Sequence, residues 1–382
     1  MKERVNLLRE FSLPLLTGVL VALAWSNYSF PGYGRFLHHP FLGTITFHFL
    51  ANDIFMVFFF GIAAAEITQS FLPGGDLHPL KRSVNPLLAT AGGVLGPIIV
   101  YMVLNRCLGT PELLRGWGIP TATDIAFAWL VARIVFGSEH PAISFLLLLA
   151  VADDGIGLVI IAVFYPDPFL PVQLPWLALT AAGILTAYLL RRARVLSYWP
   201  YVLAGGGLSW AGLFRAHLHP ALALVCIIPF LPHAAAEKKH FFEDDRTDRS
   251  AIAQFEQEWK VIVDFGLFLF GLANAGVAFS QVGTVTGLVL AALLIGKSTG
   301  IFFLGMLAVR LGFPLPEHVR KRELFVVGII AGIGFTVALF VAGEAFTDPV
   351  LLGAAKMGAM LSCSAAFIAM ILAKWFKIKK ID

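Results

Sequence analysis

Charge is what this sequence has least of. Of its 382 residues only 14% are Asp, Glu, Lys or Arg, where a soluble domain carries about 25%. A water-soluble globule is thereby excluded, since 58% of the residues are hydrophobic and the mean hydropathy is +0.81. The polar stretches are too short to form a sizeable soluble domain. Cysteine is equally sparse: Cys107, Cys226 and Cys363 stand apart in or near apolar segments. An odd, scattered set of this kind supplies neither a disulfide framework nor metal-ligand spacing. The net charge of +4 gives no ground for nucleic-acid binding, because in a membrane chain the placement of basic residues matters more than their sum.

What is present is a series of apolar runs, each long enough to cross about 30 Å of hydrocarbon. They fall at 12–28, 49–70, 84–104, 118–135, 140–165, 174–191, 198–214, 217–233, 258–279, 283–309, 324–345 and 349–376. This predicts an all-α polytopic membrane protein of about twelve transmembrane helices in one transporter domain, 1–382. Lys2, Arg4 and Arg9 precede the first run, which ends in Ala22-Leu23-Ala24 like a signal peptide; in a polytopic chain such a run stays as an uncleaved helix. With both termini cytoplasmic, 22 of the 28 Lys and Arg fall on inner segments and only Arg35, Arg106, Arg115 and Arg215 on outer loops. That is the positive-inside bias. The longest polar stretch, within 234–257, is then a cytoplasmic connection. Trp117, Trp176, Trp199, Trp259 and Trp375 sit near run ends, as an interfacial belt requires.

Two runs are interrupted. The fourth contains Pro120-Thr121-Ala122-Thr123-Asp124, and the eleventh contains Gly328, Gly332 and Gly334. Lipid cannot satisfy freed backbone groups, so such breaks persist only where protein or a wet cavity surrounds them. Each is the middle run of three, within 84–165 and 283–376. Paired breaks in corresponding positions point to inverted repeats around a midplane binding site.

Four charges lie deep in these runs: Asp124, Asp153, Asp154 and Lys297. Each costs about 2.5–3.5 kcal/mol at a helix centre even on the mild insertion scale, so a functional role is the default expectation. Asp153 and Asp154 are adjacent in "AVADDGIGLVIIAVFY" and so point about 100° apart around one helix. One can meet a counter-charge, for which Lys297 is the deep candidate, while the other faces a cavity. Lys356 reads as a packing or snorkelling lysine. Two broken helices that cross would also bring two N-termini and two C-termini together, with opposite partial charges. An aspartate beside the break, Asp124, offsets the first pair and a nearby lysine the second. A cavity-facing carboxylate, out of water, holds a proton until a small cation replaces it. Competition of that kind, with access alternating between the two sides, is what an exchanger needs.

At these residues the chain resembles the NhaA-type sodium/proton antiporters of bacteria. "PTATDIAFA" at 120–128, "AVADDGIGLVIIAVFY" at 150–165, "FGLANAGV" at 270–277, "LLIGKSTGI" at 293–301 and "GIIAGIGFTVALF" at 328–340 are similar to the family's motifs, in order, with a weaker likeness in "ANDIFMVFFF" at 51–60. The resemblance implies that Asp154 is the principal cation and proton site and Asp153 the aspartate paired with Lys297, so that both face the transported Na⁺. Thr123 and Asp124 would belong to the crossing. It implies electrogenic exchange of two H⁺ for one Na⁺ or Li⁺ in the bacterial inner membrane, no cofactor, and a homodimer. One net charge per cycle draws on about 2.3 kcal/mol per 100 mV.

The chain departs from the family pattern at its pH-responsive regions. Glu66 is followed by Thr68, Gln69 and Ser70 in place of basic and acidic residues, and the ninth run opens with "AQFEQEW". Glu66 and His219 are the candidates left for a pH response. The loop between the first two runs is shorter than the segment by which family members pair. A sodium-coupled solute symporter or a cation channel on a related scaffold is the competing reading. An intramembrane aspartyl protease is disfavoured, for no G-x-G-D motif occurs and a deep lysine would hold one carboxylate ionised when a dyad must share a proton.

Overall fold

The computed structural model describes residues 13–41, 43, 45–72, 80–166, 170–232 and 250–381, with side chains from 83 onward in the stretch 80–166. Lys2, Arg4, Arg9 and most of the 234–257 connection lie outside the described residues. Apolar runs without turn residues can satisfy their backbone away from water only as helices, and the described chain is helical almost throughout.

Helices α1 (Leu13–Tyr28) and α2 (Phe30–His38) lead into α3 (Phe47–Phe71). α4 (Leu80–Leu108) contains Pro86 and Pro97. A tightly wound α5 (Pro111–Thr121) and α6 (Ile125–Phe136) form a pair bent by 57°, followed by α7 (Pro141–Phe164). α8 (Leu177–Arg192), α9 (Gly207–Arg215) and α10 (Ala251–Asn274) come next. α11 (Thr284–Arg310) precedes a second pair, α12 (Lys321–Ala331) and α13 (Phe335–Ala345), bent by 46°, and α14 (Pro349–Trp375) closes the chain. The same order thus occurs twice: a long helix, a bent pair, a long helix.

Among the described residues six helices are long and apolar enough to cross a membrane, or eight if each bent pair is one span. The twelve expected spans are not all present as single long helices. The 217–233 run departs most, folding as short 3₁₀ turns at Pro220–Leu222 and Ile228–Phe230. Pro220 and Pro229 lack the N–H that an α-helical ladder needs. The first run is a helix of only 16 residues. The ninth begins inside α10, which carries Glu256, Glu258, Lys260 and Asp264.

Two features place the interior. α4 and α11 lie backbone to backbone: a Cβ on Gly92 would collide with the Gly300 carbonyl, and one on Gly96 with the Gly296 carbonyl. Small residues four apart are what allow helices to approach this closely. The exterior, in turn, is oily. Leu20, Ile99, Val103, Val163, Leu185, Phe303 and Phe367 are each more than half exposed, while Asp124, Asp153, Asp154 and Lys297 are buried. Charge inside and hydrocarbon outside is the arrangement of a membrane protein, in which lipid replaces water as the outer solvent.

Candidate functional site

The buried charges gather where the two bent pairs meet. α5 ends because Pro120 (φ −84°, ψ 16°) leaves helical geometry and Ala122 is extended (φ −97°, ψ 157°). α6 then starts at its N-cap, Asp124, whose Oδ1 accepts the Phe127 N–H at 3.0 Å. On the other pair, α12 stops at Ala331 and α13 resumes after Gly332-Ile333-Gly334. The Asp124 N–H donates to the Ile333 carbonyl at 2.7 Å, and its Oδ2 accepts the Thr336 N–H at 3.2 Å. One carboxylate therefore caps the N-termini of both half-helices, where unpaired N–H groups carry partial positive charge.

The C-terminal ends are met by donors. Lys297 Nζ lies 2.6 Å from the Thr121 carbonyl, at the end of α5. Thr123 Oγ1 lies 2.9 Å from the Ala331 carbonyl, at the end of α12, and 2.9 Å from Asp153 Oδ2; its single hydrogen serves one of them at a time. The second break owes its compactness to missing side chains. A Cβ on Gly328 would sit 2.9 Å from the Ser298 carbonyl oxygen, and one on Gly332 2.8 Å from that of Leu293. The Gly334 N–H donates to Ser362 Oγ at 3.2 Å, which ties the break to α14.

Lys297 ends a π-helical turn, Ala292–Lys297, and its ammonium is 2.6 Å from Asp153 Oδ2. Both side chains are wholly buried. Such a pair costs several kcal/mol per ion to desolvate, at the order-of-magnitude level, and survives only with close geometry and further hydrogen bonds. The Thr121 carbonyl and the Thr123 hydroxyl are there to make them. Asp154, the next residue on α7, is 8% exposed. It borders a narrow gap lined by Phe59, Phe60, Ala63, Leu158 and Val337. Asp153 Oδ1 and Asp154 Oδ1 are buried without a hydrogen-bond partner among the described residues. Buried polar atoms are nearly always paired, so an unpaired carboxylate oxygen on each of two neighbouring residues is an exception that calls for a proton or another positive partner. No group of three or more His, Cys, Asp or Glu poised to hold a metal occurs among the described residues.

The profile of the family described as Na⁺/H⁺ antiporter 1 matches residues 7–373. The chain belongs to the Na⁺/H⁺ antiporter 1 family. It is 66% identical over 380 residues to the Na⁺/H⁺ antiporter NhaA of Geotalea uraniireducens, covering 100% of this chain and 98% of that one. It is 65% identical over 381 residues to the Na⁺/H⁺ antiporter NhaA 1 of Pelobacter propionicus, with 100% of each covered. Its fold is similar to that of the sodium proton antiporter MjNhaP1 from Methanocaldococcus jannaschii, at a TM-score of 0.54 and 18% identity over 96% of this chain and 97% of that one.

The two candidates for a pH response in this antiporter make polar contacts of their own. Glu66 on α3 is 3.6 Å from Lys260 on α10, which is also 3.6 Å from Glu256, and Gln69 donates to Glu256 at 2.9 Å. His219 Nδ1 is 3.5 Å from Glu344 on α13, and its other nitrogen meets the Tyr165 carbonyl. Lys356 is 9% exposed, which suits packing between helices and not snorkelling. Reading the sequence alone passed over Glu344 and Asp53, charges in apolar runs that were there to be noticed. It had no signal for Thr336 and Ser362, which act through a backbone N–H and a single hydroxyl. The paired glycines of α4 and α11 were legible as a four-residue spacing, but only with both helices in view.

Proposed function

We propose that this chain is an electrogenic antiporter that exchanges cytoplasmic Na⁺ or Li⁺ for external H⁺, with both competing for Asp154. The reading is carried by one contrast between neighbours. Lys297 engages Asp153, whereas Asp154, one residue on, keeps a buried oxygen free at the edge of a gap. A charge-paired carboxylate stays ionised; its unpaired neighbour is penalised when charged out of water and so takes up either a proton or a cation. The free oxygen of Asp153 would complete the cation's ligands from the other side. Family membership over residues 7–373 supports Na⁺/H⁺ exchange as the reaction.

Electrogenicity follows in the same reading from the Lys297 ammonium, which releases Asp153 and its own proton when the cation arrives, so that more than one H⁺ is displaced by one Na⁺. The charge bias of 22 inner against 4 outer basic residues supports an inner-membrane location with both termini cytoplasmic. The test is ΔpH dissipation in proteoliposomes. Adding Na⁺ or Li⁺ should collapse ΔpH with no organic solute present, and Asp154→Asn should abolish this while unfolding at an unchanged temperature in detergent. Normal exchange by Asp154→Asn would overturn the assignment. A requirement for a solute would make the protein a symporter.

A further inference from the structure

On the outer surface, one end of α11, α12 and α14 surrounds an open groove of about 410 Å³, lined by Phe302, Phe303, Phe325, Phe376, Lys321 and Arg322. We propose that this groove seats an anionic phospholipid, with its phosphate against Lys321 and Arg322 and an acyl chain along the phenylalanines.

The wall of the groove is aromatic and continuous. Phe302 meets Phe325 edge-on at 5.8 Å between centroids, and Phe325 meets Phe376 at 6.5 Å. Phe303 is 66% exposed beside them. This is a surface that fits a hydrocarbon chain. Its rim is cationic: Lys321 and Arg322 are exposed residues of the first turn of α12, where free backbone N–H groups and the helix dipole favour an anion. Arg322 is steered across the groove by a 3.4 Å hydrogen bond from Nη1 to the Phe376 carbonyl, which leaves its other donors available to a phosphate.

The surrounding charge favours the same occupant. Arg310, Arg320, Lys321 and Arg322 at the α11–α12 end, with Lys374, Lys377, Lys379 and Lys380 at the end of α14, outnumber Glu317, Glu323 and Asp382 by eight to three. Glu323 is occupied as a cap, its Oε2 accepting the Arg320 N–H at 3.0 Å. Clusters of four to eight basic residues at the cytoplasmic end of membrane helices attract anionic lipid, at about 1 kcal/mol per residue. A free phosphate would leave the apolar wall unused, a zwitterionic lipid would leave the excess charge unmatched, and a second copy of the chain would bring like charge to like. The groove is also separate from the transport site. Thr299, which borders it, and Lys297, which is wholly buried, are two residues apart on α11 and so point to nearly opposite sides.

The experiment is native mass spectrometry of the full-length protein in detergent, titrated in turn with phosphatidylglycerol, phosphatidylcholine and inorganic phosphate. The wild type should retain phosphatidylglycerol in preference to phosphatidylcholine. Lys321→Gln/Arg322→Gln should bind it about 10- to 30-fold more weakly, while a charge-matched control at exposed residues away from the groove, Arg35→Gln/Arg106→Gln, should not. Equal retention of the two lipids, unchanged affinity in the double variant, or tight binding of inorganic phosphate at these residues would each overturn the proposal. Because the altered residues are exposed and lie outside the crossing, Na⁺/H⁺ exchange in the double variant reports that it is folded.

Discussion

The two interrupted helices reach the same shape by opposite means. The first break, Pro120 to Asp124, is built from side chains: a proline that ends a helix, a threonine that reaches across, and an aspartate that caps two N-termini. The second, Gly332 to Gly334, is built from their absence, since its glycines lie where a Cβ would strike the Leu293 carbonyl or side chain. One break supplies the charge and the other supplies the room. The difference shows that a crossing of helix ends needs only one set of compensating groups, provided the partner comes close enough to share it. Asp124 serves both N-termini because α13 is near enough for Thr336 to donate to it.

Substitutions can break this division of labour. The largest stability effect should come from Lys297→Ala, which leaves Asp153 buried and unpaired at about 4 kcal/mol, the range found when one partner of a buried ion pair is removed. Thermal unfolding in detergent measures the loss, and an imposed K⁺/valinomycin potential tests the second expected outcome, exchange that no longer responds to voltage. A variant as stable and as voltage-driven as the wild type would argue against the pairing. Next comes Asp124→Ala, which strands the Phe127 and Thr336 N–H groups together, for about 3 kcal/mol; Asp124→Glu, whose carboxylate is displaced by a methylene, should recover only part. If the second break is a matter of space, Gly332→Ala should cost about 2 kcal/mol by overpacking, while an equally small change on the exposed face, Gly287→Ala, where a Cβ meets nothing within 4 Å, should not destabilise. Equal effects at the two glycines would refute the spatial account. The smallest change is Thr123→Val, which removes one hydroxyl shared between Asp153 and the Ala331 carbonyl and should cost about 1 kcal/mol; no change in unfolding temperature would mean that Lys297 alone holds Asp153.

Much of this was legible in the letters. Asp124, Asp153, Asp154 and Lys297 are conspicuous because charge is scarce in apolar runs, and Pro120 and Gly332 interrupt those runs visibly. Helix existence was also readable, while helix length was less so. The 217–233 run looked like a span by composition yet folds as 3₁₀ turns, because hydropathy registers how oily a segment is and not whether Pro220 and Pro229 let it wind as one helix. Glu344 and Asp53 sit nearer the ends of their runs, where a charge excites less notice, and only the fold sets Glu344 against His219.

The sequence by itself determined that the chain lives in lipid, that it bends twice at corresponding places, and that it keeps four charges away from water, since each of these follows from local composition. Apart from the family resemblance, only the tertiary structure decided which aspartate Lys297 takes, because residues 144 positions apart are matched by the approach of α4, α7 and α11 and not by spacing. It also decided that the aspartate expected beside the break bonds directly to both helix starts, since hydrogen bonds act over about 3 Å and that distance is set by how closely glycine lets two backbones pack.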